Sequence, residues 1–262
     1  MAEVQIALRH LLGRQAGPAV GPPAGEESSG RGDNSTGSAI HGGDTAAQVS
    51  VIAGHPGAGS STVALALADA AATNGRAVHL LDPAAPGRSG LMAAAVTELG
   101  TDPSGTWRKG RRTSVVIERR ALPGDGSSVV PGELQDDVLT VLDLGSTEST
   151  TASTAPTVVV CRANVPGFRL AEQRLLQLAG RPLVVAAVGP HGSAREVRAS
   201  IGPRLAALRD TGRLVSVPWD SRLDVTGLTD RPLPRPVVAA GAQLLSLVQT
   251  VQSLDAGSRS AR

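Results

Sequence analysis

A glycine-rich stretch directly after an apolar run carries the clearest chemical signal in the sequence. Residues 54–62 read Gly-His-Pro-Gly-Ala-Gly-Ser-Ser-Thr and match the phosphate-binding pattern G-x-x-x-x-G-K-[ST] everywhere except at the lysine, where Ser60 stands. Glycines permit backbone angles that are closed to other residues, so successive N–H groups can point at phosphate oxygens. A helix that starts here would add the positive end of its dipole. The stretch predicts a phosphate loop without its lysine, and a plain turn between a strand and a helix is the alternative.

The elements that would position this loop follow an alternating pattern. From Val49 onward short apolar runs alternate with longer helix-like stretches, which is typical of βαβ units and a parallel sheet. We therefore predict an α/β fold in three layers, with a mostly parallel sheet of about seven strands flanked by helices. The candidate strands are 49–53, 77–81, 114–118, 138–142, 157–161, 183–188 and 214–217, and the candidate helices are 61–73, 90–99, 169–178, 194–208 and 236–254.

Composition limits the domain count and the classes of function. A chain of 262 residues with 41% hydrophobic content can bury one sizeable core, which we place at 48–254. The aromatic residues are Phe168, Trp107 and Trp219, too few for an RNA-binding surface that stacks bases. Lys109 is the only lysine among 25 basic residues, and the net charge of +2 is too small for a dedicated nucleic-acid binder.

The two ends of the chain differ from the centre. Residues 1–12 have the apolar spacing of a short helix, either a docking peptide on a tether or a frayed end. Residues 13–47 are rich in Gly, Pro, Ser and Asp without periodicity, which predicts a disordered linker. A second disordered tail is predicted at 255–262.

Two features favour a cytoplasmic location. Cys161 is the only cysteine and sits in an apolar run, so a buried thiol in a reducing compartment is expected. No segment approaches about 18 uninterrupted apolar residues, and so we expect no stable membrane span. The aliphatic stretch at 236–254 has no lysine, arginine or aromatic residue after Arg235 until Arg259, which favours a helix packed on the sheet over one that binds a membrane.

Three further segments, in the same order along the chain, give the sequence a family resemblance. Asp82-Pro83 ends the apolar run at 77–81, Asp143 ends the run at 138–142, and Val-Pro-Trp-Asp at 217–220 ends a late run. Together with the glycine-rich loop, these segments resemble the MinD/ParA group of the SIMIBI class of P-loop ATPases. The resemblance covers about 200 residues and implies that group's nucleotide-binding fold.

The resemblance assigns roles to individual residues. The loop that binds the cofactor, ATP or ADP with Mg²⁺, would consist of Gly54, Gly57, Ala58, Gly59, Ser60, Ser61 and Thr62. By the same resemblance, Ser61 would ligate Mg²⁺, Asp143 would hold a metal-bound water, and Asp82 would be the catalytic, water-activating or metal-facing aspartate. The alternative for both aspartates is that each caps the turn after its strand.

The departures from the family pattern bear on activity. Members of the group carry two lysines in the loop, and Ser60 and His55 stand at those positions, so no permanent charge is supplied there. The adenine-reading asparagine is also missing, since Ala-Val-Gly-Pro stands at 187–190. We therefore expect weak nucleotide binding and a weak or inactive ATPase that acts in positioning, partitioning or assembly of cellular machinery.

Other functions stay open at this point. One is a scaffold that keeps the fold, binds protein partners and binds no nucleotide. Another is non-specific DNA association through residues 107–120, from Trp107 to Arg120, where six basic residues surround one tryptophan. The resemblance also implies a nucleotide-dependent homodimer.

Overall fold

The computed structural model of the protein describes residues 48–122, 137–146, 155–190 and 194–260, with side chains as far as Leu254. The short helix predicted at 1–12 and the linker predicted at 13–47 lie outside the described residues.

A single nine-stranded sheet forms the centre of the fold. Its strand order is β3-β4-β5-β2-β6-β1-β7-β8-β9, and the seven strands from β5 to β9 pair in parallel. The strands are β1 (Gln48–Ala53), β2 (Val78–Asp82), β3 (Thr97–Thr101), β4 (Trp107–Arg112), β5 (Val115–Arg120), β6 (Leu139–Gly145), β7 (Thr157–Arg162), β8 (Leu183–Gly189) and β9 (Leu214–Pro218). The mostly parallel α/β class is confirmed, and each of the seven predicted strands is present.

The two additional strands, β3 and β4, were not predicted. They pair antiparallel with each other and with β5, and so they extend one edge of the parallel sheet. The helix predicted at 90–99 is wrong, because residues 90–96 form turns and irregular backbone and the last three residues, 97–99, belong to β3. Val96 and Thr97 are β-branched and Gly100 has a φ of 95°, which all favour extended or turn conformations over a helix.

Six helices lie in the described part of the chain, on both faces of the sheet. They are α1 (Ser60–Thr73), α2 (Val165–Gln177), α3 (Arg195–Ala199), α4 (Pro203–Asp210), α5 (Ser221–Thr226) and α6 (Arg235–Ser260). The helix predicted at 194–208 is in fact two helices, since Pro203 starts α4 after an extended Gly202. A short 3₁₀ turn, Pro86–Arg88, lies between β2 and β3.

Two apolar clusters confirm the three-layer arrangement. One cluster joins α1 and α6 to one face of the sheet, and the other joins α2 and α4 to the opposite face. Both are built mainly from Ala, Val and Leu, as expected for a chain with so few aromatic residues. Cys161 is fully buried in the second cluster, and burial raises the pKa of its thiol to about 12, so it is an inert core residue.

The last helix, α6, has an apolar face that the fold covers. By length and composition its segment Arg235–Leu254 could cross a membrane, and no other described helix has this property. Val237, Leu244 and Val248 of this segment are buried against α1 and the sheet. The helix also continues through residues 255–260, which corrects the predicted tail there, because a formed helix gains one backbone hydrogen bond for each residue added.

Candidate functional site

The glycine-rich loop connects the buried central strand β1 to α1. Gly57 and Gly59 have φ values of 75° and 97°, in the region that side chains with a Cβ rarely adopt. Gly59 is the N-cap of α1 and makes no side-chain capping hydrogen bond. The amide N–H groups of the first turn of α1 are therefore available to a ligand, at the positive end of the helix dipole.

The start of the loop is fixed by close packing. The Gly54 N–H donates to the carbonyl of Val160 on β7 at 2.7 Å. A Cβ at Gly54 would lie 3.2 Å from that carbonyl oxygen and 3.3 Å from the Cα of Ala171 on α2. Glycine at this position thus lets the loop leave the sheet tightly, between a strand and a helix.

Two buried carboxylates face the loop from the ends of β2 and β6. Asp82 and Asp143 are 1% and 2% exposed. Asp143 accepts hydrogen bonds from the hydroxyls of Ser60 and Ser61 and from the Gly145 N–H. Burial, and next the nearby charge of Asp82, raise the pKa of Asp143 to about 6. This pair of neighbouring acids would be stabilised by any cation that enters between them.

Asp82 organises the segment that follows β2. Its Oδ1 accepts the Ala84 N–H at 2.9 Å and its Oδ2 accepts the Ser89 hydroxyl at 2.6 Å. Burial raises the pKa of Asp82, while these two hydrogen bonds oppose that shift. The turn-capping role that the sequence left open is thus present in the structure, and a catalytic role for Asp82 stays a prediction.

The segment held by Asp82 closes over the start of α1. Gly90 lies so near Ser61 that a Cβ there would be 2.6 Å from the Ser61 hydroxyl oxygen. Even a methyl side chain at this position would force the segment or the serine to move. Glycine at position 90 therefore permits the close approach of the two segments.

One cleft brings these groups together. It has a volume of about 630 Å³, and its walls include the loop, the carboxylates of Asp82 and Asp143, and the apolar side chains of Leu223 and Leu228. The predicted site residues that line it are Gly57, Ala58, Gly59, Ser60, Ser61, Thr62, Asp82 and Asp143. Gly54 lies behind the loop, beside a second depression that it shares with His55.

The donors at the cleft suit a magnesium ion that is held partly by phosphate. Ser61 and Asp143 present oxygen atoms that hydrogen-bond each other, and oxygen is the ligand that Mg²⁺ prefers. Within the described residues no group of three or more acidic, histidine or cysteine side chains could hold a metal ion by itself. Mg²⁺ commonly binds through one or two protein ligands, with water and phosphate oxygens completing its shell.

His55, at the position of the family's second lysine, is tied to its own loop. Its Nδ1 lies 2.8 Å from the Pro56 carbonyl, and its Nε2 accepts the Arg162 N–H at 3.2 Å. Both contacts are satisfied when a neutral ring carries its proton on Nδ1. In this arrangement His55 anchors the loop and extends no charge away from it.

Sequence reasoning missed a pair of residues beside the loop. Arg162, at the end of β7, donates from Nε to the Gly57 carbonyl at 3.1 Å, and its guanidinium stacks on Trp219 at 3.8 Å from the ring centroid. The available signal was position, because both residues lie at the carboxyl ends of parallel strands, where ligand sites form. Their effect is to support the outer side of the phosphate loop.

The basic segment at 107–120 forms the antiparallel hairpin of β4 and β5. Trp107 is 6% exposed and so belongs to the core. Lys109 pairs with buried Glu118 at 2.5 Å, and Arg119 pairs with Glu98 at the same distance. Most of the positive charge in this segment is thereby neutralised within the fold.

Arg112 is the most deeply engaged of these basic residues. It is 4% exposed and contacts Asp69 on α1 at 3.1 Å. Its guanidinium also donates to the carbonyl groups of Ala94, Thr229 and Arg231. Arg112 therefore joins the hairpin, α1 and the segment before α6, and it is not available to a nucleic acid.

Comparison with known proteins identifies the fold. No protein-family model matches the chain, and no curated protein matches it by sequence. Among solved structures, the cell division ATPase MinD of Pyrococcus furiosus superposes with a TM-score of 0.52 at 15% identity, over 79% of this chain and 100% of that one.

Two further structures superpose to a similar extent. The septum site-determining protein MinD of Pyrococcus horikoshii, complexed with Mg-ADP, gives a TM-score of 0.52 at 15% identity, over 80% of this chain and 97% of that one. MinD of Aquifex aeolicus gives 0.50 at 16% identity, over 78% and 97%. The chain thus has a MinD/ParA-like P-loop fold, as the sequence resemblance predicted.

Proposed function

We propose that this protein binds ATP or ADP together with Mg²⁺ weakly, hydrolyses ATP slowly or not at all, and acts in positioning, partitioning or assembly of cellular machinery. The observation that carries the proposal is the geometry at the start of α1. Open amide groups there line the same cleft as the Ser61 hydroxyl and the Asp143 carboxylate, in a fold shared with MinD ATPases.

Backbone amides would bind the phosphates of the nucleotide, and side chains would bind Mg²⁺. The amides of Gly57 and of Gly59 to Ser61 would hold phosphate oxygens, because the two left-handed glycines turn this loop around the cleft, whereas the Ala58 N–H donates to the His55 carbonyl. Ser61 and Asp143 would hold Mg²⁺, which supplies charge neutralisation at the phosphates when bound. The Mg-ADP present in the Pyrococcus horikoshii structure supports this choice of ligand.

Weak binding and slow turnover follow from what the loop lacks. Ser60 has no charge, and its hydroxyl is used in a hydrogen bond to Asp143. A lysine at this position would stabilise charge on the transferring phosphoryl group, and its loss removes much of that stabilisation. Asp82, the candidate catalytic carboxylate, holds two hydrogen bonds from the segment that follows it.

The alternative is a scaffold that keeps the fold and binds no nucleotide. It is favoured by the close packing of Gly90 against Ser61 and by the hydrogen bond from Ser61 to Asp143. Nucleotide would have to break that hydrogen bond to bring Mg²⁺ to both oxygens. The two proposals therefore differ in whether added nucleotide and Mg²⁺ can displace these contacts.

The remaining expectations belong to the same proposal. We place the protein in the cytoplasm, with protein partners yet to be identified and a homodimer that forms with nucleotide. DNA association through 107–120 would rest on Arg111 and the exposed parts of Arg108 and Lys109, because Arg112 and Arg119 are buried. So few free charges predict weak, strongly salt-dependent DNA binding.

A calorimetric titration of the purified full-length chain tests the main proposal. With Mg²⁺ present, ATP or ADP should bind with a dissociation constant on the order of 10 to 1000 µM, since loss of one charge-assisted contact costs about 1.5 to 3 kcal/mol. The signal should weaken when Mg²⁺ is chelated. Absence of binding at millimolar nucleotide would establish the scaffold instead.

A further inference from the structure

One side chain in the cleft wall carries a positive charge. Arg88 lies at the end of the 3₁₀ turn Pro86–Arg88, and it is the only arginine, lysine or histidine among the described residues that line the cleft. It is exposed, and within the described part of the chain it pairs with no carboxylate. Two buried carboxylates lie in the same cleft, so a cation here faces a strongly acidic centre.

The turn that carries Arg88 is held firmly at both ends. Asp82 accepts the Ala84 N–H before the turn and the Ser89 hydroxyl after it, and the Ser89 oxygen in turn accepts the Leu91 N–H at 3.2 Å. The Arg88 N–H donates to the Ala85 carbonyl at 2.7 Å and closes the turn. The backbone of Arg88 is therefore fixed beside the phosphate loop while its side chain stays free.

Two other arginines close to the site are engaged elsewhere. Arg162 donates to the outward-facing Gly57 carbonyl and stacks on Trp219, so it supports the loop from behind. Arg119 pairs with Glu98 at 2.5 Å and is 7% exposed. Arg88 is left as the cation that can reach a ligand in the cleft without losing an existing partner.

We propose that Arg88 supplies the charge that Ser60 cannot, by binding the phosphates of the nucleotide from the segment that follows β2. A planar guanidinium can donate two parallel hydrogen bonds to phosphate oxygens, which suits this role. The charge would thus come from the segment beside the loop rather than from the loop itself. This inference rests on the proposed nucleotide binding. It names Arg88 as the residue that replaces the charge of the missing lysine.

The first test compares nucleotide affinity in three variants of the full-length chain by calorimetry with Mg-ATP. Arg88→Ala should weaken binding by about tenfold or more, the worth of one charge-assisted contact. Arg88→Lys should restore part of the loss, which a purely structural role would not do. Arg195→Ala removes an exposed arginine far along the chain on α3 and should leave the affinity unchanged.

A second test asks whether Arg88 and a lysine at position 60 perform the same task. Ser60→Lys should rescue binding in the Arg88→Ala background by more than it improves the wild type, because neighbouring charges that share a phosphate are not additive. The unliganded melting temperature of Arg88→Ala should stay within a few degrees of wild type, as expected for an exposed residue.

The outcomes distinguish a failure of the proposed role of Arg88 from a failure of the proposed nucleotide binding. Wild-type binding that Arg88→Ala leaves unchanged would overturn the role of Arg88 while nucleotide binding stands. Additive effects of the two substitutions would also overturn it. If the wild type binds no Mg-ATP at millimolar concentration, the proposed function fails together with the role of Arg88.

Discussion

The cleft and the β4–β5 hairpin handle buried charge in opposite ways. In the hairpin the buried carboxylate of Glu118 pairs with the Lys109 ammonium at 2.5 Å and contacts the His79 ring at 2.7 Å. In the cleft, Asp82 and Asp143 are buried near each other and accept hydrogen bonds from hydroxyl and amide groups, and the charge of Arg119 makes only the smallest contribution to lowering the pKa of Asp82.

The difference is visible in the pKa values of the acids. Burial would raise the pKa of Glu118, but His79 and Lys109 more than offset this and lower it on balance. In the cleft, burial and mutual repulsion raise the pKa of Asp143 to about 6. The buried carboxylate of the hairpin is therefore already paired within the fold, whereas the two buried carboxylates of the cleft would be balanced by a ligand that brings a cation.

The largest effect is expected where the hairpin charges are most buried. Arg112→Ala leaves Asp69 and three backbone carbonyls without their donor and should cost about 3 to 5 kcal/mol of unfolding free energy. Chemical denaturation measures this loss. The exposed neighbour substitution Arg111→Ala should change stability by less than about 0.5 kcal/mol, and an equal loss in both variants would show that the buried contacts do not matter.

In the cleft, removal of a carboxylate should raise the free energy of unfolding instead of lowering it. A buried acid with a raised pKa binds its proton more tightly when folded, so folded stability falls as pH rises from 3.8 to about 6. Asp143→Asn should remove the part of this fall that Asp143 contributes, leaving the part due to the raised pKa of Asp82, and should stabilise the unliganded protein at pH 7 by about 1 to 3 kcal/mol relative to wild type.

Melting curves between pH 4 and pH 7, without nucleotide or Mg²⁺, measure the effect. Asp210→Asn, at the exposed end of α4, is the matched control and should leave the pH dependence as in wild type. A loss of stability at pH 7 in Asp143→Asn would mean that the carboxylate is already balanced within the fold. The buried carboxylates of the cleft and of the hairpin would then both be balanced within the fold.

Charge added to the loop should improve binding. Ser60→Lys places an ammonium group beside Asp143 and the phosphate loop, and we expect about tenfold tighter Mg-ATP binding, or roughly 1.4 kcal/mol. Hydrolysis should recover less, because His55 still stands at the second lysine position. If this variant folds normally and its affinity is unchanged, the loop does not hold phosphate.

The smallest effect is expected for the chain's single lysine. Lys109 is 46% exposed, so Lys109→Met should cost about 1 kcal/mol or less, even though its partner Glu118 is buried. Nucleotide affinity should not change, since Lys109 lies on β4 and not in the cleft wall. A weaker affinity in this variant would contradict the separation of the two regions.

The sequence predicted the parallel core well for physical reasons. Buried parallel strands are continuous apolar runs, so β1, β6 and β8 are visible without any knowledge of their neighbours. The antiparallel strands β3 and β4, at one side of the sheet, carry polar residues, and the edge strand β3 is exposed along its whole length. Such strands are defined by pairing with distant residues, which single-sequence patterns do not reveal.

The candidate site shows the same contrast. Gly57, Gly59, Ser61 and Asp143 were predicted from local motifs, and the structure brings them to one cleft. Arg88 and Arg162 were missed, because their importance comes from tertiary neighbours: the cleft for one, and Gly57 and Trp219 for the other. No local spacing distinguishes these arginines from the many exposed arginines of this chain.

Amide hydrogen exchange with and without Mg-ADP compares the two regions in one experiment. At a nucleotide concentration about ten times the dissociation constant, exchange in residues 54–62 should slow by about tenfold, because ligand binding suppresses opening of the loop. Exchange in the hairpin, residues 107–120, should stay the same. Unchanged exchange in 54–62 at millimolar nucleotide, or protection confined to the hairpin, would contradict the account of a phosphate-binding cleft.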